Sequence, residues 1–186
     1  MLFGSLTVQG LPDMAKSQTV SGSAGGTLAT LTPVSPQIGP FYGTDYGPFQ
    51  GTENPNNGSF PTQDQLLADL PILKTMGNAV RVYSVTNGFD TIVRQAVNYG
   101  LAAVPSAYLG NNATANKVEM DALISLLNTT TSLSNIPFAV VGTETLLQGL
   151  PITDLVADIQ YVRQNAPSGT LITTADTWSN LATYST

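Results

Sequence analysis

Pro137-Phe138-Ala139-Val140-Val141-Gly142-Thr143-Glu144-Thr145-Leu146-Leu147-Gln148-Gly149 decides how the rest of this chain is read. A short apolar run, right for a buried strand, delivers a glutamate to its end. Glu119 is the only other glutamate within residues 117–186, and apolar residues stand on both sides of Glu144. Apolar surroundings raise a carboxyl pKa, which is what a general acid needs, so Glu144 is the first candidate for chemistry.

Working outward, the same alternation of strand and helix recurs. Phe41–Tyr46 reads as a first strand, followed by a loop rich in Gly, Pro and Asn from Gly47 to Phe60. Thr62-Gln63-Asp64-Gln65 is a capping box opening a helix with Leu66, Leu67, Leu70 and Leu73 inward. Pro71 inside that pattern should kink or shorten it, and Gly77 ends it. Ala79–Val85 is the second strand. Asp90 then caps a helix with Ile92, Val93, Ala96 and Val97 on one face, closed by Gly100. Leu101–Val104 is a third strand with Pro105 at its end, and Met120, Leu123, Ile124 and Leu127 mark a third helix. Phe138–Gly142 is the fourth strand, Thr153 caps a fourth helix with Leu155, Val156, Ile159 and Val162, and Thr170–Ala175 is the fifth strand.

Five strands separated by four helices imply a parallel sheet in an α/β fold. An open doubly wound sheet and part of a (β/α)8 (TIM) barrel both fit. No Gly-rich turn follows the first strand at dinucleotide-binding spacing. Asp45 and Tyr46, Arg81 and Tyr83, Thr143 and Glu144, and Asp176 and Trp178 all fall at or near strand C-terminal ends, the face where barrel enzymes build their sites. A partial (β/α) barrel over residues 38–186 is therefore expected. Residues 1–37 form a Ser/Thr/Gly-rich segment of low charge, read as an arm or linker. Its period-2 pieces, Leu6/Val8 and Thr27–Thr32, could instead add as strands to a sheet edge.

Composition narrows the chemistry. Only 10% of the 186 residues are charged, the net charge is −6, and there is neither cysteine nor histidine. That excludes Ser-His-Asp and Cys-His catalysis, disulfides and thiolate metal sites, leaving carboxylates, amides, hydroxyls and aromatic rings. No metal or cofactor is expected. Six scattered cations make no basic patch for nucleic acid. No run approaches the roughly 18 apolar residues that span a bilayer. Polar uncharged residues covering the surface favour an extracellular or wall-associated protein. Met1-Leu2-Phe3-Gly4-Ser5 lacks the pattern of a signal peptide, so a secreted chain would begin here after processing or from an incomplete sequence. Sequons stand at Asn57, Asn112 and Asn128.

Arg81 lies mid-strand on the same face as Tyr83. A buried arginine needs a carboxylate, and Glu144 and Asp45 are the candidates, whether the pair is structural or functional. Tyr46 and Trp178 are either ordinary rim aromatics or platforms for sugar rings. An aromatic cleft with carboxylates and no cofactor motif points to glycoside chemistry, which normally uses two carboxylates.

Gly43-Thr44-Asp45-Tyr46-Gly47, Val80-Arg81-Val82-Tyr83, Val140 to Leu147 and Thr173-Thr174-Ala175-Asp176-Thr177-Trp178, in that order, resemble glycoside hydrolase family 17, the β-1,3-glucanases and glucanosyltransferases. The resemblance covers roughly residues 38–180. It implies a (β/α)8 barrel and a retaining mechanism, with Glu144 as acid/base. It also implies sugar contacts from Tyr46 and Tyr83, and Trp178 as a cleft aromatic. Two departures stand out. The family's Asn before the acid/base is Thr143 here, and no glutamate follows Glu144 to supply the nucleophile. Asp176 is the only later carboxylate near the expected site, and it does not match the nucleophile's motif.

The resemblance thus implies a β-1,3-glucan-active domain whose catalytic pair is incomplete in this chain. Two other readings stay open. One is a secreted structural or assembly glycoprotein that reuses a half barrel and self-associates through exposed sheet edges. The other is a non-hydrolytic glucan binder that keeps the stacking residues.

Overall fold

The computed structural model describes residues 43–131 and 133–184. The expected arm at 1–37, with both its candidate strand pieces, and the start of the first strand at Phe41 lie outside them. Among the described residues the order is β1 (Gly43–Tyr46), α1 (Gln63–Met76), β2 (Ala79–Val82), α2 (Asp90–Asn98), β3 (Ala102–Val104), β4 (Ser106–Ala107), α3 (Ala113–Thr129), β5 (Ala139–Thr143), α4 (Ile152–Asn165), β6 (Ile172–Ala175) and α5 (Trp178–Tyr184). All strand pairings are parallel, in two three-stranded sheets ordered β1-β2-β3 and β4-β5-β6. The α/β class and parallel strands follow the sequence expectation.

Beyond the expected third strand a further short strand, β4, follows, and Pro105 separates the two. It has no N–H to give to a ladder, so β3 pairs back to β2 while β4 pairs forward to β5. The Pro105 carbonyl still accepts from the Val140 amide at 2.9 Å, so the two sheets meet at this residue.

Strand alternation sorts the side chains. Val80, Val82, Ala103, Ala107, Ala139, Val141 and Ile172 join one buried core with Leu66, Leu70 and Leu73 of α1, Ile92, Val93 and Ala96 of α2, and Met120, Leu123 and Leu127 of α3. The alternate positions Ala79, Ala102, Val104, Ser106 and Val140 are buried as well, which is why these strands read as near-continuous apolar runs. Arg81 lies in that second row beside its register partner Asp45.

The capping box at Thr62 forms as the sequence requires: Thr62 Oγ1 accepts from the Gln65 amide, and Gln65 Oε1 accepts from the Thr62 amide at 2.7 Å. Several local expectations are corrected. Pro71 does not shorten α1, which runs on to Met76; burial of Leu66, Leu70 and Leu73 outweighs the one lost backbone bond. The second strand stops at Val82 rather than Val85, because Ser84 and Thr86 turn the chain with side-chain bonds. Asp90 is not a cap. A preceding turn offers the Gly88 and Phe89 carbonyls to the Thr91 and Ile92 amides, and Asp90 instead pairs with Arg94 at 3.1 Å. Thr153 lies inside α4, whose N-cap is Pro151. The fifth strand begins at Ile172, and α5 was not foreseen.

Candidate functional site

The sequence placed its candidate residues at strand C-terminal ends, and the structure brings most of them to one place. Asp45, one residue before the end of β1, stands beside its register partner Arg81 of β2. Arg81 Nη2 donates to Thr143 Oγ1 at 2.8 Å, and Nη1 lies 3.7 Å from Asp45 Oδ1. Asp45, not Glu144, is the carboxylate that the half-buried Arg81 finds. The guanidinium carbon sits 5.0 Å from the centroid of the Tyr83 ring, a cation–π contact. Arg81 Nε is buried with no partner in the structure. One guanidinium thus links the ends of β1, β2 and β5. Tyr83, just past β2, is exposed; its phenol is pushed above the ordinary range, first by desolvation and then by the Asp45 charge.

Glu144 is exposed, so the expectation that apolar neighbours bury it is corrected. A backbone device explains the difference. The β5–β6 register shifts between Val140 and Thr143, an irregularity of the β-bulge kind. Gly142 follows at φ +78° and Glu144 at φ +54°, both left-handed. This turns Leu146 inward and Glu144 outward, where its charge acts on the Tyr83 phenol. A non-glycine residue held at positive φ costs about 1 kcal/mol or more, and such strain collects at functional positions.

Asp176 has another task. Its Oδ2 accepts from the Leu146 amide at 2.7 Å, and its Oδ1 accepts from the Thr177 amide at 2.8 Å and from Asn180 Nδ2 at 2.7 Å. Burial pushes this carboxyl upward, but the bonds from Asn180, Thr177, Leu146 and Leu147 together hold it below the ordinary value. It anchors the Glu144 turn to the start of α5. Trp178, the first residue of α5, is 83% exposed.

Tyr46 is buried, and its hydroxyl donates to Asp69 Oδ2 on α1 at 2.7 Å. Burial first, then Asp69 and Glu53, drive its phenol well above the ordinary range. Its ring lines a cleft of about 400 Å³ walled by Phe49, Phe60 and Phe89, whose centroids lie 5.7–6.2 Å apart, and by Tyr83 and Tyr108. A second, more polar cleft borders Gln148, Asn112 and Asn116 and shares Asn87, Tyr108 and Glu119 with the first. The sequons at Asn57, Asn112 and Asn128 are all exposed, and Asn112 also caps α3 through its side chain.

Sequence reasoning missed Tyr108 and Glu119. The strand-end rule could have found Tyr108, had the third strand been carried past Pro105. Nothing local marks Glu119, which gains its place only when α3 packs beside the loops. Among the described residues no helix is long and apolar enough to cross a membrane.

Parallel strands with helical connections, and polar and aromatic residues gathered past the strand ends, define an α/β protein with an aromatic-lined cleft. The particular likeness is to glycoside hydrolase family 17. The chain is similar to a family 17 β-1,3-glucanosyltransferase from Rhizomucor miehei at 28% identity and a TM-score of 0.60, over 73% of this chain and 49% of that one. An active-site mutant of the R. miehei β-1,3-glucanosyltransferase in complex with laminaritriose matches with the same figures. The chain therefore spans about half the length of the solved structures it matches. No family model matches it, and no curated protein matches it significantly.

Proposed function

We propose that this chain is a β-1,3-glucan-active domain of family 17 type, that residues 38–186 are part of a (β/α) barrel, and that Glu144 is its acid/base. The observation that carries this is the end of β5. There an irregular, left-handed backbone presents an exposed glutamate beside the Arg81–Thr143 bond and the Tyr83 ring. The two glucanosyltransferase structures add support through fold and through laminaritriose bound to one of them.

In a retaining cycle Glu144 gives its proton to the departing glycosidic oxygen and then takes one from the incoming water or sugar hydroxyl. The nucleophile is a second carboxylate about 5–5.5 Å away, and no residue of this chain is assigned that role. Asp45 and Asp176 are both engaged by protein groups. Arg81 orients Thr143, the residue next to the acid/base, and Tyr83 supplies a ring face. Substrate class, extracellular or wall location and glycans at the three sequons belong to the same proposal.

The test is laminarin hydrolysis and glucanosyl transfer by the purified chain beside Glu144→Gln. Turnover that disappears in the variant supports a glycosidase and directs the search to its nucleophile. An assembly subunit without catalysis is favoured by β1 and β6, each paired on one side only among the described strands. That alternative requires no turnover together with large particles in sedimentation.

A further inference from the structure

Among the described residues, Glu119 is the one carboxylate bordering both clefts. Its Oε1 accepts from Ser84 Oγ at 2.7 Å and from the Thr86 hydroxyl, both in the loop after β2. Its Oε2 accepts from the Tyr108 amide at 3.3 Å, in the loop after β4. Tyr83 immediately precedes Ser84, so one side chain grips the segments carrying both exposed tyrosines of the cleft. Three residues earlier on the same face of α3, buried Asn116 exchanges two 2.8 Å bonds with the backbone of Gly110. The α3 end of the loop is therefore already fixed, and the freedom left to it is at Tyr108, where Glu119 acts.

Tyr108 stands between the two clefts, and its hydroxyl donates to Gln148 Oε1 at 3.2 Å. Gln148 belongs to the turn that begins at Glu144: its amide donates to the Glu144 carbonyl at 2.9 Å and its side chain to the Thr143 carbonyl at 3.3 Å. Glu119 is thus linked, through Tyr108 and Gln148, to the backbone that aims the acid/base.

We propose that Glu119 is a positioning residue for an extended glucan chain, holding Tyr83 and Tyr108 at a fixed separation so that successive sugar rings cross from one cleft to the other. This rests on the glucan-active reading above. The chemistry of the three bonds makes it selective. Ser84 and Thr86 are hydroxyls that can donate or accept, whereas the Tyr108 amide can only donate. Glu119→Gln can therefore keep its oxygen on the hydroxyls, but it then sets an amide N–H₂ against the Tyr108 N–H, releasing the Tyr108 arm alone.

The experiment is calorimetric binding of laminaritriose and laminarihexaose to the full chain. The proteins compared are the wild type, Glu119→Gln, Tyr108→Ala and the double variant, each checked for an unchanged melting curve. Glu119→Gln should weaken laminarihexaose about tenfold, equivalent to about 1.4 kcal/mol, and laminaritriose by less. The double variant should bind no worse than Tyr108→Ala, since both changes remove the same contact. Amide exchange at Tyr108 should accelerate in Glu119→Gln. A wild type that binds neither sugar overturns the glucan reading and this role with it. A wild type that binds, with Glu119→Gln unchanged in affinity or additive with Tyr108→Ala, overturns the positioning role alone.

Discussion

Gly142→Ala tests the backbone device that presents Glu144. Gly142 sits at φ +78°, and a β-carbon built there would stand 2.4 Å from Thr145 Oγ1, 3.3 Å from Thr145 Cβ and 3.1 Å from Leu155 Cδ1. Thr145 and Leu155 are both buried, so neither can swing into solvent. Holding an alanine in the left-handed region costs about 1–2 kcal/mol. Forcing a methyl into packed side chains adds about 1–3 kcal/mol. The expected loss is about 2–5 kcal/mol, and at about 2–4 °C per kcal/mol for a chain this long the melting temperature should fall by roughly 10 °C. Thermal and urea unfolding measure it, and a double-mutant cycle with Thr145→Ala separates the two contributions. Thr145 Oγ1 is buried without a partner, so removing it forfeits no bond while relieving the closest contact. The double variant should recover about half of the loss, leaving the backbone share. A Gly142→Ala protein melting within 2 °C of wild type would refute the requirement for glycine. A double variant no better than the single would refute the steric part.

Two further outcomes are expected. Asp176 titrates below its ordinary 3.8 in the folded protein, so its contribution is present above that value and is lost as pH falls through the lower folded pKa. The stability gap between wild type and Asp176→Asn should therefore be constant from pH 7 to about 5 and shrink by pH 3; a gap of the same size at pH 3 would exclude the carboxylate as its source. Tyr46→Phe removes the hydroxyl bonded to Asp69 and keeps the ring against the cleft. It should cost about 1 kcal/mol in urea unfolding with glucan affinity unchanged. Lost affinity at unchanged stability would instead place that hydroxyl on the sugar.

Much of this protein is written locally. Alternating apolar runs and helical periodicity, together with the Thr62 capping box, establish α/β character and parallel pairing, because side-chain period and capping depend on neighbours a few residues away. The strand-end rule likewise singled out Asp45, Arg81, Tyr83, Thr143 and Glu144, since a strand's C-terminal residue can be read from where its apolar run stops. What each side chain does there was decided by packing. Arg81 chose Asp45 over Glu144 because register sets Asp45 beside it, and register is a property of two strands. Glu144 faces out because an irregular pairing and a left-handed glycine turn the chain before it, which apolar neighbours in sequence cannot reveal. Asp176 became an anchor because Leu146 lies 30 residues away in the chain, and Glu119 a bridge between loops because it meets Ser84, 35 residues away, together with Tyr108, 11 residues away. Sequence determined most of the elements, because periodicity and capping are local; tertiary structure shifted several of their ends and decided which distant polar atoms met, because those partners are brought together only by packing.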